Sequence, residues 1–365
     1  MKSNIINKIA FRVDSSSFIG IGHIKRCINI AIALKEFGIE SIFISRNLPK
    51  NNYNDITDLG FKLCILESPK KIPNDTRNSS SWLCVDWIVD ANETINKLNE
   101  LGCRFVFVDH YAIALEWESY VKDNNFLIGV LDDLDREHNA DILVDYSFWK
   151  ETKDFEYLVN KGCVKLIGKT FMPLSNSFKG RSLKTKNFCY PTILISLGGF
   201  DFDGLALKSI IALNKLCSQN IKKVIIVTDI DSEIKLKEVL QGVSFKYDLH
   251  ISPNGLGSIY EESDICLGAS GVSSFERVYF EIPQLIFVKA DNQIETAKHL
   301  NQKNMAMVIK DFTQNNISKY IDDFIKEETL IKISKNLLNF IDLDGAVKIA
   351  KEINAIIEYK NVAKD

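Results

Sequence analysis

Short apolar runs alternate with longer amphipathic stretches along the whole chain. In the first half, runs of β-branched and aromatic residues lie at positions 8–13, 41–45, 62–66, 104–108, 127–131 and 142–144. The second half restarts the alternation, with apolar runs at positions 192–197, 223–228, 246–250, 265–267 and 284–288. Between the runs, apolar residues recur at helical spacing, most clearly at Ile24, Cys27, Ile28, Ala31 and Leu34. Continuous apolar strands separated by helices predict parallel sheets that helices cover on both faces.

The pattern predicts an α/β protein with two doubly wound, Rossmann-like domains. Periodicity is lost over residues 171–190, where Lys and Arg are mixed with Ser, Gly and Thr, and Pro191 opens the next strand. We therefore expect an N-terminal domain over residues 1–172, a linker over 173–190 and a C-terminal domain over 191–365. A length of 365 residues also suggests two domains. Two such domains in tandem would place a ligand in the cleft between them.

Composition narrows the function classes. Apolar residues make up 46% of the chain, and 45 Lys plus Arg against 48 Asp plus Glu leave a formal charge of −3. This balance gives no support for a nucleic-acid-binding protein, whose affinity depends on excess positive charge. No run of about 18 apolar residues occurs, so we expect no spanning helix. The first residues lack the features of a secretory signal, and a cytoplasmic location is the simplest expectation.

The eight cysteines are spread along the chain, mostly inside apolar runs. No two of them have the two-residue gap of a zinc or redox motif. We interpret them as small buried thiols in a reducing compartment, with metal binding as the alternative.

The first candidate site lies in residues 11–26, where a strand ends at Val13 and Gly20 and Gly22 lead into a helix near His23. Ligands of open α/β sheets bind at the carboxyl ends of strands, and glycines let the backbone approach them closely. An imidazole there can accept a proton near neutral pH. The segment lacks the third glycine of a dinucleotide motif. A capping or solvated histidine is the alternative, and Asp14 with serines 15–17 is equally typical of a turn.

Two further clusters follow predicted strands of the first half. Asp109, His110 and Tyr111 would lie on the same rim as His23, although an ordinary strand-to-helix turn has the same pattern. Residues 131–138 are rich in carboxylates, but their spacing does not match a calcium loop. We interpret this second cluster as a solvated turn.

The second half carries a pattern typical of phosphate binding. Gly198 and Gly199 close one strand, and small residues precede a helix at Ser270, Gly271, Val272 and Ser273. Turn amides and the helix dipole would face a diphosphate there. Glu276 is placed to accept both ribose hydroxyls, and Asn292 and Gln293 follow another strand, placed to meet the sugar or phosphates. The alternatives are close helix–sheet packing for the glycines and a surface helix position for Glu276.

Together these segments resemble the hydrolases of the pseudaminic-acid pathway, which remove UDP from UDP-2,4-diacetamido-2,4,6-trideoxy-β-L-altrose. The resemblance covers most of the chain and is most specific in the first motif. The second-half motif alone also resembles the donor site of the peptidoglycan UDP-GlcNAc transferase. Both families share a two-domain glycosyltransferase B architecture. The segments that carry the resemblance are residues 12–26, 82–85, 108–111, 132–143, 197–201, 269–274 and 292–293.

The resemblance implies roles for individual residues. His23 matches the general base that activates water, and Asp14 is a candidate to orient its imidazole. Tyr111 matches an active-site tyrosine and Asn292 an asparagine near the substrate. Candidate contacts to the UDP-sugar are Arg12, Gly20, Gly22, Gly198, Gly199, Ser270, Gly271, Val272, Ser273, Glu276 and Gln293. We expect no metal and no cofactor.

The sequence departs from the family pattern at Phe200, at Arg277 and Val278, and at Ala112. These departures bear on the exact sugar more than on the reaction class. Two alternatives stay open: a glycosyltransferase that uses a UDP-amino sugar donor, and a non-catalytic UDP-sugar-binding protein. The oligomeric state is not determined by the sequence.

Overall fold

The computed structural model describes residues 7–73, 75, 78–198, 201, 204–216 and 220–362. The chain divides into two compact units. The first comprises Met1–Asn176 together with Leu343–Asp365, and the second comprises Ser177–Asp342.

The first unit is built on a sheet of seven parallel strands in the order β3-β2-β1-β4-β5-β6-β7. Its central strands are buried on both faces because their runs are continuously apolar, as expected for a parallel sheet. Rings of Phe11 and Phe43 stack between neighbouring strands at 5.2 Å. The strands are β1 Lys8–Val13, β2 Glu40–Arg46, β3 Lys62–Leu66, β4 Phe105–Asp109, β5 Leu127–Leu131, β6 Ile142–Asp145 and β7 Val164–Ile167.

Helices of the first unit connect these strands. The third helix begins where Asp86 accepts a hydrogen bond from the Ile88 amide, and it ends at Gly102 in the left-handed region with φ 66°. Short 3₁₀ turns lie at Ser79–Ser81, Thr152–Phe155 and Lys169–Phe171. The α-helices are α1 Gly22–Lys35, α2 Asn54–Thr57, α3 Trp87–Leu101, α4 Leu115–Asp123 and, from the end of the chain, α12 Gly345–Val362.

Helix α12 packs against α1 and therefore belongs to the first unit. The approach is close at Gly345, where a Cβ atom would collide with the backbone of Met172. The sequence prediction placed everything from 191 to 365 in the C-terminal domain, and the structure differs there. Periodicity reveals the apolar face of α12, with Ile349, Ile353 and other residues buried, but not which sheet that face covers.

The second unit has six parallel strands in the order β10-β9-β8-β11-β12-β13. The strands are β8 Thr192–Ser196, β9 Lys223–Thr228, β10 Tyr247–Ile251, β11 Ile265–Ala269, β12 Gln284–Phe287 and β13 Met307–Ile309. The helices are α5 Leu205–Leu216, α6 Glu233–Leu240, α7 Gly257–Glu262, α8 Val272–Tyr279, α9 Ile294–Gln302, α10 Gln314–Phe324 and α11 Glu327–Leu337, with 3₁₀ turns at Asn176–Phe178 and Asp291–Gln293.

Strand order reverses in each sheet at one point. In the first unit β1 lies between β2 and β4, and in the second β8 lies between β9 and β11. Loops that leave two such neighbouring strands in opposite directions open a crevice at the carboxyl edge, where ligands of doubly wound folds bind. A ligand site is therefore expected after β1 and β4 in the first unit, and after β8 and β11 in the second.

Two further features concern the chain as a whole. Among the described residues, no helix is both long and apolar enough to cross a membrane. The cysteines that the structure describes form no disulfide; Cys189 is exposed, and the other six are buried or half-buried. Cys217 lies outside the described residues.

Candidate functional site

A turn formed around Ser16 precedes helix α1, which carries His23 in its first turn. The Ser16 hydroxyl accepts from the amides of Phe18 and Ile19, at 3.3 and 3.1 Å. Gly20 adopts φ 81°, and its amide donates to the Ser16 carbonyl at 2.9 Å. A β-carbon is disfavoured at that angle, so a glycine closes the turn. Helix α1 begins at Gly22, and His23 is buried in its first turn.

Asp109 at the end of β4 holds His23 in place. The Nδ1 atom of His23 lies 2.6 Å from Asp109 Oδ1. Arg26, one turn along α1, donates to both oxygens of Asp109 at 2.6 and 2.7 Å. Burial alone would raise the pKa of Asp109, but the charges of Arg26 and His23 lower it to about 2. Two groups contact Nδ1 of His23: the Asp109 carboxylate and, at 3.0 Å, Nη2 of Arg26. Because an ionised carboxylate can only accept, we assign the ring proton to Nδ1, and Nε2 is then the nitrogen that can take up a proton.

Aromatic rings form the walls around His23. Its imidazole makes T-shaped contacts with Tyr111 and Trp82, at 4.6 and 6.2 Å between ring centroids. Trp82 and Tyr111 belong to a small buried apolar cluster with Ile19 and Leu48. The walls therefore give His23 an apolar setting at the point where the strand order of the first sheet reverses.

A second carboxylate, Asp133, connects the aromatic wall to Arg26. Asp133 accepts from the Tyr111 hydroxyl at 2.7 Å and from the Tyr146 hydroxyl at 3.1 Å. Arg26 donates to the same Tyr146 hydroxyl. Burial, followed by the charge of Asp133, raises the pKa of Tyr111 well above its ordinary value, and burial also raises that of Tyr146. Both phenols therefore stay protonated near neutral pH.

The loop that carries Asp133 is anchored by buried charges. His138 lies between two carboxylates, 2.8 Å from Glu118 and 3.0 Å from Asp132. Arg136 pairs with Asp132 and also donates to the backbone carbonyls of Tyr111 and Ile113. Asp132 and His138 are buried. The interpretation of residues 131–138 as a solvated turn therefore holds for Asp135 and Glu137, which are exposed, and is wrong for Asp132 and His138. The sequence does not show that these two side chains pair with each other and with Glu118 and Arg136.

We expect the ion pairs of His138 with Glu118 and Asp132 to weaken in alkaline solution. Burial alone would lower the pKa of His138, but Asp132 and Glu118 raise it to about 9. The stabilisation is complete below the ordinary imidazole pKa of about 6.5 and is lost as the pH rises through about 9. Denaturant unfolding of the wild type and His138→Gln should differ by on the order of 2–3 kcal/mol at pH 6, and by much less at pH 10. A difference that is constant between pH 6 and 10 would contradict this prediction.

Arg12 and Asp14 lie in a different network from the one expected. Arg12 is completely buried and pairs with Asp14 at 2.7 Å and with Asp90 at 2.6 Å. Asp14 also accepts from the Arg46 amide at 2.7 Å and lies 3.2 Å from Nε2 of His110. Paired in this way, Arg12 has no exposed surface to offer a substrate. Its role is to support the start of the loop that follows β1.

The expected orienting role of Asp14 therefore falls to Asp109, because the carboxylate of Asp14 is occupied by Arg12. Burial alone would raise the pKa of Asp14, but Arg12 and His110 hold it low through their charges and hydrogen bonds. Three participants in the His23 site carried no assignment from the sequence: Arg26, Asp133 and Tyr146. For Arg26 a signal was present, since it lies three residues after His23 and hence on the same helix face.

In the second unit, the turn between β11 and α8 keeps its helix terminus uncapped. Gly271 occupies the cap position and no side chain caps the helix. The Ser270 hydroxyl is buried and has no hydrogen-bond partner among the described residues. Arg277 braces the turn from below by donating to the Ala269 carbonyl at 2.6 Å. Arg277 is one of the departures from the family pattern. A Cβ atom at position 268 would lie 2.8 Å from its guanidinium, so the presence of Arg277 requires a glycine there.

Other candidate residues of the second unit are placed as follows. Glu276 is buried in the second turn of α8 and accepts from the Tyr260 hydroxyl at 2.8 Å. Gly198, with φ 87°, follows β8. Asn292 is half-buried, and the Gln293 side-chain oxygen accepts from the Lys289 amide at 3.0 Å. Gly199 and Phe200 lie outside the described residues.

Comparison with known proteins supports the resemblance drawn from the motifs. No protein-family model matches the chain. A protein of Campylobacter jejuni named UDP-2,4-diacetamido-2,4,6-trideoxy-beta-L-altropyranose hydrolase is 25% identical over 310 residues, which is 83% of this chain and 99% of that protein. An uncharacterized protein of Methanocaldococcus jannaschii is 22% identical over 301 residues, 79% of this chain and 57% of its own length. The predicted resemblance to the hydrolase family is confirmed by the first of these relatives.

Solved structures share the fold at low sequence identity. MurG of Acinetobacter baumannii superposes with a TM-score of 0.61 at 11% identity, covering 96% of this chain and 99% of its own. A complex of Staphylococcus aureus MnaA with UDP gives 0.64 at 13% identity, covering 97% of both chains. The glycosyltransferase of kitacinnamycin gives 0.64 at 12% identity, covering 96% and 99%. The predicted glycosyltransferase B architecture is thereby confirmed.

Proposed function

We propose that this protein hydrolyses UDP-2,4-diacetamido-2,4,6-trideoxy-β-L-altrose to UDP and the free sugar, with inversion at the anomeric carbon. One observation carries the proposal: His23 is held through Nδ1 by an ionised Asp109 in a buried, aromatic-walled site where the strand order reverses. Such an imidazole is suited to take a proton from water. The name of the Campylobacter jejuni relative supports the choice of substrate.

The first unit supplies the base in this mechanism. Water attacks the anomeric carbon on the face opposite UDP while its proton moves to Nε2 of His23. The new bond joins the water oxygen to the anomeric carbon, and the bond from that carbon to the phosphate oxygen of UDP breaks. The bonding electron pair leaves with UDP, and the proton on His23 is later released to solvent. Asp109 stabilises the imidazolium formed in this step.

The second unit supplies charge stabilisation for the leaving group. UDP leaves without being protonated once its negative charge is held. The uncapped terminus of α8 after Gly271 presents free amides and the positive end of the helix dipole for this purpose. The unpartnered hydroxyl of Ser270 is a further donor at the same turn. Val272 and Ser273 provide amides of the first turn, and Glu276 accepts the ribose hydroxyls. The mechanism uses no metal or cofactor.

Incubation of the purified protein with the UDP-sugar alone tests this proposal against its alternatives. Equimolar release of UDP and free sugar without an acceptor is the result expected of a hydrolase. Release that depends on an added acceptor would indicate a glycosyltransferase instead. Tight binding of the UDP-sugar with neither product would indicate a binding protein.

A further inference from the structure

Glu276 is a buried carboxylate that the second unit leaves half satisfied. Its residue is 9% exposed, and no ion pair to it occurs in the part of the chain that the structure describes. The guanidinium of the neighbouring Arg277 donates instead to Ala269, Ser273 and Gln284. Tyr260 donates to Oε2 of Glu276 at 2.8 Å. Burying a carboxylate costs free energy unless its oxygens accept hydrogen bonds. A ligand that donates to the remaining lone pairs of Glu276 would remove that cost.

Tyr260 is held firmly enough to fix that carboxylate. It lies on α7 and is completely buried, with the rings of Phe178 and Phe280 packed against it at 6.3 and 5.2 Å between centroids. Burial, followed by the charge of Glu276, raises the pKa of Tyr260 well above its ordinary value. The phenol therefore stays protonated and acts as a permanent donor to Glu276.

We infer that Tyr260 is a positioning residue that makes the second unit selective for ribonucleotides over 2′-deoxyribonucleotides. The inference rests on the proposed function, which places the ribose of UDP at Glu276. A carboxylate fixed at Oε2 cannot rotate freely, so Oε1 and the second lone pair of Oε2 present two acceptors in one orientation. Vicinal hydroxyls match such a pair of acceptors, whereas a 2′-deoxyribose leaves one acceptor buried and unpaired.

The test is calorimetric titration of the full chain with UDP and with 2′-deoxy-UDP. We expect the wild type to bind UDP about tenfold more tightly than 2′-deoxy-UDP. Tyr260→Phe should weaken UDP binding about fivefold and 2′-deoxy-UDP binding less than twofold, so that a tenfold preference falls to about two- to fourfold. The matched control is Tyr279→Phe in α8, whose ring also packs against Phe178 and Phe280 and whose loss of a hydroxyl should leave the preference unchanged.

The outcomes separate this inference from the proposed function. If UDP does not bind the wild type, the proposed function fails. If UDP binds and Tyr260→Phe keeps the wild-type preference, or weakens both ligands equally, only the role of Tyr260 is overturned. Should Tyr260→Phe fail to fold, the double variant Tyr260→Phe/Glu276→Gln replaces it, because this variant buries no unpaired carboxylate. The preference of the double variant for UDP should equal that of Glu276→Gln alone, and any further change would refute the inference.

Discussion

Replacing His23 with alanine or phenylalanine should reduce turnover of the UDP-sugar by about two to four orders of magnitude, because the attacking water then loses its proton acceptor. UDP binding should persist, since the nucleotide is assigned to residues of the second unit. Turnover is measured as UDP release under saturating substrate, and UDP affinity by calorimetry on the same preparations.

His299→Ala is the matched control for this substitution. His299 lies on α9, where it is half-buried and 3.4 Å from Glu295, and its loss should leave turnover unchanged. Near-normal turnover in both His23 variants would reject His23 as the base. Loss of UDP binding together with turnover would instead mean that the substitution had disturbed more than the proton transfer.

Asp109→Asn should produce the second-largest loss, about two to three orders of magnitude in kcat with little change in UDP affinity. Asparagine has the shape of aspartate but lacks its charge. It can neither stabilise the imidazolium nor enforce the Nδ1-protonated form of His23, and it leaves Arg26 without its bidentate partner. Steady-state kinetics at several pH values measure the effect.

Asp141→Asn is a suitable control for that variant. Asp141 also lies at a strand, accepts from the Ile128 amide at 2.9 Å and pairs with Lys122 at 3.5 Å, but it takes no part in the His23 network. Unfolding curves of both variants show whether any loss of activity reflects loss of structure. A kcat for Asp109→Asn within a few-fold of the wild type would remove Asp109 from the mechanism.

Much of the fold could be predicted because buried parallel strands leave continuous apolar runs in the sequence. The strands missed were β7 and β13, each of which lies at one of the two edges of its sheet. Both are short, with four residues in β7 and three in β13, and an apolar run of that length is equally consistent with part of a helix. Helix α12 was visible as an amphipathic pattern, but the sheet it covers is a long-range property that periodicity does not encode.

The site was predictable in its location and less so in its partners. The serine–glycine turn and His23 follow the end of β1, and Tyr111 follows the end of β4, where doubly wound folds place ligands. The partner of His23 depends on strand order, because Asp109 reaches it only as β4 lies beside β1. Asp14 is closer to His23 in the sequence but is captured by Arg12, a contact between residues on the same face of one strand end.

Proton NMR of the reaction in ¹⁸O-labelled water tests the central claim most directly, because it reports the bond cleaved and the stereochemistry together. Early spectra should show the free sugar as the anomer opposite to that in the substrate, before mutarotation mixes the two forms. Mass analysis should find the label in the sugar and not in UDP. Label in the phosphate of UDP, or first appearance of the retained anomer, would contradict attack by a His23-activated water on the anomeric carbon.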